Sequence, residues 1–209
     1  MTIISLKYDC RLPEGAVTLE FSDESKLLIN TAYFPMEIDS SALLETGREL
    51  GASDEDSFRF AAACFRAEKG ALRLVARAEQ SSLGLTAKLE RRGFDSEVAR
   101  AVVNRLLDQK LLDDSRYAEL WIRSRLRGRK ALTPQLLLAG LGKRGIDKGS
   151  SRAALEKALD SEAEYALLLR YVRKSDSAAK TGKKMAFKRA NLRYLGFSAE
   201  ALDRYFDSE

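Results

Sequence analysis

One short pattern occurs three times in this chain: Arg91-Arg92-Gly93-Phe94-Asp95, then Arg144-Gly145-Ile146-Asp147, then Tyr194-Leu195-Gly196-Phe197-Ser198. The three glycines lie 52 and 51 residues apart, a nearly constant period that is typical of a repeat protein. Each copy predicts a helix end, where a glycine adopts the left-handed conformation and a large apolar residue follows it. The next residue, Asp or Ser, is a preferred cap for a new helix. The sequence therefore predicts successive helical modules.

Each copy of the pattern belongs to a predicted group of three helices. Apolar spacing predicts helices over 58–80, 83–92 and 96–110, then over 115–127, 134–144 and 148–159, and finally over 162–174, 184–194 and 199–206. A three-helix unit of this size buries its apolar surface poorly alone, so we expect the modules to stack into an elongated curved rod. The predicted domains are 1–57, followed by helical repeats over 58–114, 115–160 and 161–209.

The first 35 residues follow a different pattern. Segments rich in β-forming residues cover 3–8, 16–21 and 26–32, and polar turn sequences separate them. They predict a small antiparallel hairpin or meander. An Asp39-Ser40-Ser41 cap then predicts a short helix to about Glu49, and Gly51-Ala52-Ser53-Asp54 starts the next helix. The predicted fold is mainly α, with three tandem three-helix repeats after a small β-containing domain.

Charge is divided unevenly along the chain. Residues 1–57 contain 4 Lys+Arg and 12 Asp+Glu, whereas residues 58–209 contain 32 and 19, so the net charges are −8 and +13. A helical array with that charge is expected to attract a polyanion, either nucleic acid or an acidic protein surface. The acidic N-terminal domain is interpreted as a cap on the first repeat, or as a cover for the basic surface that tunes DNA affinity.

Composition argues against several functions. The chain contains no histidine, the commonest general base and metal ligand, and it has only two cysteines, Cys10 and Cys64. It also lacks a Gly-rich phosphate loop. We therefore expect no enzyme activity, no cofactor and no metal site. Since no apolar run is long enough for a membrane span or a secretion signal, we expect a cytoplasmic protein. The helical modules are expected to suffice as a monomer.

Basic residues recur in the same part of each module. The stretches 66–92, 116–144 and 170–193 contain 7, 8 and 9 basic residues against 3, 1 and 1 acidic residues. Solvated helix faces normally mix both signs, so this bias favours a binding surface. Arg116, Arg123 and Arg127 fall within about 40° of one another on a helical wheel and predict one exposed row.

Three other residues in the second module receive structural interpretations. Arg125 projects into the apolar stripe of its helix, which predicts a buried or interface ion pair. The spacing of Trp121 places it mainly in the core. Gly140 lies inside a helix at a cost of about 1 kcal/mol relative to Ala, which is consistent with a short helix or with close crossing by a neighbour.

The order of these motifs resembles the RecX family of bacterial recombination regulators. The resemblance is carried by Leu85 to Asp95, by Leu111-Leu112-Asp113-Asp114-Ser115-Arg116-Tyr117-Ala118, and by Trp121 to Asp147, and it extends over roughly residues 70–206. It implies three three-helix modules in a regulator, not an enzyme, that binds the RecA recombinase filament on DNA. Such a protein lodges in the filament groove, limits filament growth, and inhibits ATPase, strand-exchange and coprotease activities.

The candidate residues for binding the filament, and single- or double-stranded DNA directly, are all basic. They are Arg73, Arg77, Arg116, Arg123, Arg127, Arg129, Lys130, Lys143, Arg144, Lys183, Lys184, Lys188 and Arg189. Two alternatives stay open. A helix-turn-helix-like transcription factor would show base-sequence preference, and a scaffold for an acidic protein would bind its partner after nuclease treatment.

Overall fold

The computed structural model of the protein describes residues 2–8, 13–34, 44–178 and 187–208. The chain divides into two compact units, Met1–Leu112 (unit 1) and Asp113–Glu209 (unit 2). The described residues form three β-strands and nine α-helices, as expected for a mainly helical protein with a small N-terminal sheet. The division into three repeats and the curvature of the array stay predictions.

The N-terminal strands of unit 1 form the predicted meander. Strands β1 (Ile3–Lys7), β2 (Ala16–Phe21) and β3 (Lys26–Asn30) are antiparallel neighbours in the order β1-β2-β3. Alternation along the pleat sends Val17, Leu19 and Ile29 to one face, where all three are fully buried.

The predicted helix up to Glu49 is wrong over its described part, residues 44–49. The backbone there lies beside the start of β1: Glu49 forms a β-bridge with Thr2, and the Ile3 N–H donates to the Arg48 carbonyl at 3.1 Å. Pairing with the strand satisfies these backbone groups, so local helix propensity is overridden. The predicted cap at Asp39 lies outside the described residues.

The helices of unit 1 are α1 (Ala52–Arg77), α2 (Ser82–Glu90) and α3 (Ser96–Asp108). Helix α1 begins six residues earlier than its predicted apolar face, because the Asp54 carboxylate accepts from the Gly51 N–H and completes the first turn. The sheet and the three helices share one core, which includes Phe21, Phe58, Leu85 and Leu106. The acidic segment and the first helices are thus one folding unit.

An ionic group lies within this core. Glu68 of α1 is only 6% exposed, and its Oε1 lies 3.3 Å from Nε of Arg105 in α3. The Arg105 guanidinium also lies 5.5 Å from the ring centroid of Tyr33, which precedes α1. Burial raises the pKa of Tyr33 above its ordinary value, and the negative charge of Glu68 adds to the shift. These contacts connect the N-terminal segment, α1 and α3.

The described residues of unit 2 form six helices around a second core. They are α4 (Asp114–Arg127), α5 (Pro134–Gly142), α6 (Lys148–Ala158), α7 (Ser161–Ala178), α8 (Arg189–Tyr194) and α9 (Ala199–Asp207). Ile122, Leu141, Leu168 and Phe197 are buried together in that core. All six were predicted; the predicted start of α8 at residue 184 lies outside the described residues.

The repeated pattern forms the same helix end three times. Gly93, Gly145 and Gly196 have φ of 87°, 81° and 95°, as predicted for the left-handed conformation. In each copy the N–H of the residue after the glycine donates to a leucine carbonyl one turn earlier, the hydrogen bond of a Schellman motif. The pairs are Phe94 to Leu89 at 3.3 Å, Ile146 to Leu141 at 3.2 Å and Phe197 to Leu192 at 3.4 Å.

The predicted caps after these glycines form by side chain in two of three cases. Asp147 accepts from the Ser150 N–H at 3.0 Å, and this interaction with Ser150 lowers the pKa of Asp147. Ser198 accepts from the Ala201 N–H at 3.2 Å. Asp95 occupies the N-cap position of α3 without a side-chain cap hydrogen bond, so capping by its carboxylate was wrong.

The third helix end packs on the start of α5. The Gln135 N–H donates to the Leu195 carbonyl at 3.1 Å, and a Cβ at Gly196 would lie 3.2 Å from Cβ of Pro134. One N–H of the first turn of α5, which has no partner within its own helix, is thereby satisfied by a residue 60 positions further along the chain. The second and third predicted repeats are therefore physically joined.

Candidate binding site in unit 2

A cationic groove lies within unit 2, between α4, the loop that follows it, the start of α5 and the end of α7. Its volume is about 680 Å³. We name it the unit 2 groove; its lining residues are Trp121, Ser124, Arg125, Gly128, Arg129, Lys130, Leu132, Leu136, Leu137 and Lys174. Four of these carry positive charge and none is acidic. The groove therefore combines an apolar floor with a positive rim.

A neighbouring cavity of about 510 Å³ continues this surface along α7. It shares Arg129 and Lys174 with the unit 2 groove and adds Arg170 and Arg173, again without an acidic lining residue. Arg170 has a structural role there. Its Nη1 donates to the Leu126 and Gly128 carbonyls at 2.9 and 2.5 Å, which satisfies carbonyl groups at the C-terminal end of α4.

Trp121 forms one wall of the groove and is half-buried. Position 140 must be glycine for it to fit, because a Cβ there would lie 2.5 Å from Cη2 of the indole. The neighbour that approaches Gly140 closely is thus the Trp121 side chain of α4. The Arg144 guanidinium lies 4.6 Å from the indole centroid, and its Nη1 donates to the Gly140 carbonyl at 2.7 Å. The indole is thus fixed by α5 on one side of the groove.

Arg125 does not form the predicted buried ion pair. Its side chain is exposed, and its guanidinium lies 5.0 Å from the Trp121 ring centroid. The reason is local: Trp121 lies one turn earlier on the same helix and offers a π face at the mouth of the groove. Cation–π attraction leaves the positive charge of Arg125 available, which an ion pair would not.

The structure brings only some of the predicted residues together. Arg129 and Lys130 line the unit 2 groove. Arg116, Arg123 and Arg127 are all exposed on α4, as the predicted row requires, but Arg123 is paired with Glu119 at 2.5 Å. Arg116 lies in a separate cavity of about 410 Å³ that also contains acidic Asp113 and Glu119.

The remaining predicted residues lie elsewhere. Lys143 and Lys188 are exposed, and Arg144 is half-buried against Trp121. Arg189 forms an ion pair with Asp203 of α9 and lies 5.2 Å from the Phe206 ring centroid. Arg73 and Arg77 are exposed on α1 of unit 1. Lys183 and Lys184 lie outside the described residues.

Four basic residues that line the two cavities were absent from the predicted set: Arg125, Arg170, Arg173 and Lys174. The sequence could have indicated Arg170, Arg173 and Lys174, because their i, i+3, i+4 spacing places them on one helix face. It could not have indicated Arg125, since its stacking on Trp121 depends on the position of the indole.

In the described ranges, no group of three or more His, Cys, Asp or Glu side chains is arranged to hold a metal ion. Over the same ranges, no helix combines the length and apolar character that crossing a bilayer requires.

Comparison with known proteins gives concordant results. A family model described as the first three-helix domain of RecX matches residues 70–106. "Regulatory protein RecX" of Treponema pallidum is 38% identical over 115 residues, 55% of this chain and 70% of that protein. The protein of the same name from Pseudomonas entomophila is 31% identical over 137 residues, 64% of this chain and 85% of that protein.

Two solved structures share the fold. The crystal structure of a regulatory protein RecX superposes with a TM-score of 0.69 at 16% identity, over 99% of this chain and 98% of that chain. RecX from Lactobacillus salivarius superposes with a TM-score of 0.54 at 19% identity, over 70% and 96%.

Proposed function

Since this chain belongs to the RecX family of regulatory proteins, which are not enzymes, we propose that it binds the RecA-DNA filament and modulates its activity. The expected effect is inhibition of the ATPase, strand-exchange and coprotease activities. In this proposal the protein lodges in the filament groove and limits filament growth. Direct contact with DNA is part of the proposal.

The observation that carries the proposal is the charge of the unit 2 groove and its extension along α7. Six basic side chains line the two cavities, and no acidic side chain from the described part of the chain does. Among the described residues, Arg125, Arg129, Lys130 and Lys174 have no ion pair that would neutralise them. A nucleoprotein filament is a polyanion, and long-range attraction raises both its local concentration and its association rate.

The test is ATP hydrolysis by RecA on single-stranded DNA, with this protein titrated well below one copy per RecA protomer. We expect inhibition at such ratios, without competition between this protein and RecA for bare DNA. No effect up to equimolar amounts would refute the proposal.

A pair of matched variants locates the surface. Arg129→Glu combined with Lys130→Glu reverses two charges in the groove, and we expect at least a tenfold higher concentration for half-inhibition, on the order of 1.4 kcal/mol. Lys148→Glu combined with Arg152→Glu makes the same charge change on exposed positions of α6, outside the groove, and should inhibit like the unmodified protein. Equal inhibition by both variants would remove the groove from the proposal.

Salt dependence and base preference separate the alternatives. If the groove contacts phosphates, the slope of log affinity against log salt should fall by roughly 0.7 to 0.9 for each contact that the groove variant loses. A strong preference for one base sequence would instead support the transcription-factor alternative.

A further inference from the structure

The floor of the unit 2 groove is aliphatic and accessible. Leu136, in the first turn of α5, is 54% exposed, whereas its neighbour Leu137 is fully buried in the core. Leu132 of the preceding loop is partly buried and lines the same space. Covering a solvent-exposed leucine inside a concave surface with another apolar side chain is favourable, because it removes apolar area from water.

The rim supplies charge on more than one side of this floor. Arg125 projects from α4, Arg129 and Lys130 from the following loop, and Lys174 from the end of α7. Carboxylates placed on both sides of an apolar anchor would each meet a cation. Such an arrangement recognises a pattern of alternating apolar and acidic side chains rather than charge alone.

The aromatic wall is less suited to nucleobases. A base that stacks needs an open aromatic face, but the Trp121 ring already contacts Gly140 and has the guanidinium groups of Arg125 and Arg144 at 5.0 and 4.6 Å from its centroid. The remaining floor offers leucines, which pack against aliphatic side chains.

The chain's own neighbouring segment has the wrong charge to occupy the groove. Residues 179–186, which follow α7 in the sequence, include Lys180, Lys183 and Lys184 and no acidic residue. Like charge makes that segment a poor match for the rim, so an acidic segment is the complementary occupant.

We propose that the unit 2 groove binds an acidic amphipathic segment of a protein partner, with an apolar side chain on Leu132 and Leu136 and carboxylates on the rim cations. This inference rests on the proposed function and deepens it, by giving the chemistry of the partner segment. Helix-in-groove recognition of this kind uses a few apolar anchors at i, i+3, i+4 and i+7 spacing.

Trp121 makes the test site-specific, because it is the single tryptophan of the chain. The probe is a synthetic helical peptide of about 15 residues with leucines at i, i+3, i+4 and i+7 and glutamates elsewhere. A control peptide replaces every leucine with serine, and a thymidine oligonucleotide represents single-stranded DNA. We expect the leucine peptide to shift Trp121 fluorescence and to bind at least tenfold more tightly than the serine peptide, on the order of 1.4 kcal/mol.

Variants of the full-length protein identify the contacts. Leu136→Ser should weaken binding of the leucine peptide about fivefold to tenfold, a hot-spot effect. Leu120→Ser alters a leucine that is 46% exposed on α4 but does not line the groove, so it should bind normally. For charge, Lys174→Glu alters a rim cation and should weaken peptide binding, whereas Arg152→Glu makes the same change outside the groove and should bind normally. Because Leu136 is half exposed, its replacement should leave thermal unfolding nearly unchanged.

Each contrary result has a defined meaning. Equal binding of the serine and leucine peptides would overturn the proposal in favour of a purely ionic surface. A fluorescence change with the oligonucleotide that Leu136→Ser also abolishes would overturn it in favour of nucleic acid. If neither peptide binds while RecA ATPase is still inhibited, the proposed function stands and the occupant is wrong; peptide binding without any effect on RecA would refute the proposed function alone.

Discussion

Unit 1 and unit 2 end their second helices with the same glycine motif but give their arginines different partners. In unit 1, Arg105 pairs with a carboxylate that is only 6% exposed. In unit 2, Arg125 and Arg144 lie on the indole of Trp121. A carboxylate neutralises an arginine, whereas an aromatic ring positions it and leaves its charge in place. The charge of Arg105 is therefore neutralised within unit 1, whereas Arg125 keeps its charge at the surface of unit 2.

The largest expected effect tests the ion pair between Arg105 and Glu68 in unit 1. Glu68→Ala removes the carboxylate and leaves Arg105 beside the core without its partner, which should lower the free energy of unfolding by about 3 kcal/mol. Lys7→Ala removes a pair with Glu20 at the surface, where Lys7 is 67% exposed, and should cost less than about 1 kcal/mol. Urea unfolding measures both. Similar losses would mean that burial does not distinguish the two pairs.

The next effect tests the glycine that makes room for Trp121 in unit 2. Gly140→Ala would place a Cβ 2.5 Å from the indole, and we expect a loss of about 2 kcal/mol despite the better helix propensity of alanine. Gly142→Ala, two residues further on, meets no heavy atom within 4 Å and should stabilise unit 2 by up to about 1 kcal/mol. Thermal unfolding, with Trp121 fluorescence as the signal, should show shifts of opposite sign. A shift of the same sign would show that the indole can move aside.

A smaller effect compares the two units at the shared motif. Gly93→Ala and Gly196→Ala both force a β-carbon into the left-handed conformation, at about 1 to 2 kcal/mol. A Cβ added at Gly93 would meet no other residue's heavy atom within 4 Å. A Cβ added at Gly196 would lie 3.2 Å from Cβ of Pro134 and 3.2 Å from the Gln135 nitrogen. The substitution in unit 2 should therefore be the more destabilising in urea unfolding. Equal effects would mean that only φ matters at these positions.

The smallest effect is a pH dependence confined to unit 1. Burial raises the pKa of the Cys64 thiol to about 12, and the charges of Glu97 and Glu68 act in the same direction. The unfolded chain loses this proton near its ordinary value of about 8.5, so the stabilisation is complete below that pH and is lost as pH rises towards 12. Between about pH 7.5 and pH 9, Cys64→Ala should lose less stability than the unmodified protein in urea unfolding, by up to about 1 kcal/mol. Parallel losses would contradict the shift.

The sequence predicted the features that depend on local chemistry. A glycine in the left-handed conformation followed by an apolar residue requires only a few neighbouring residues, and all three copies formed as expected. Long-range contacts explain the errors. Residues 47–49 pair with Thr2 and Ile3 across more than forty positions of sequence, and the indole that Arg125 contacts is held against Gly140 of α5, nineteen positions away from Trp121. Neither contact leaves a periodic signal in the chain.

The hydrogen bond from the Gln135 N–H to the Leu195 carbonyl also sets an order for synthesis. A chain made from its N-terminus has all residues of unit 1 by Leu112 and can complete that core early. The Gln135 N–H in the first turn of α5 receives its acceptor only when Leu195, 60 positions later, has been made. The growing polypeptide therefore has its acidic half folded well before its cationic groove has finished forming.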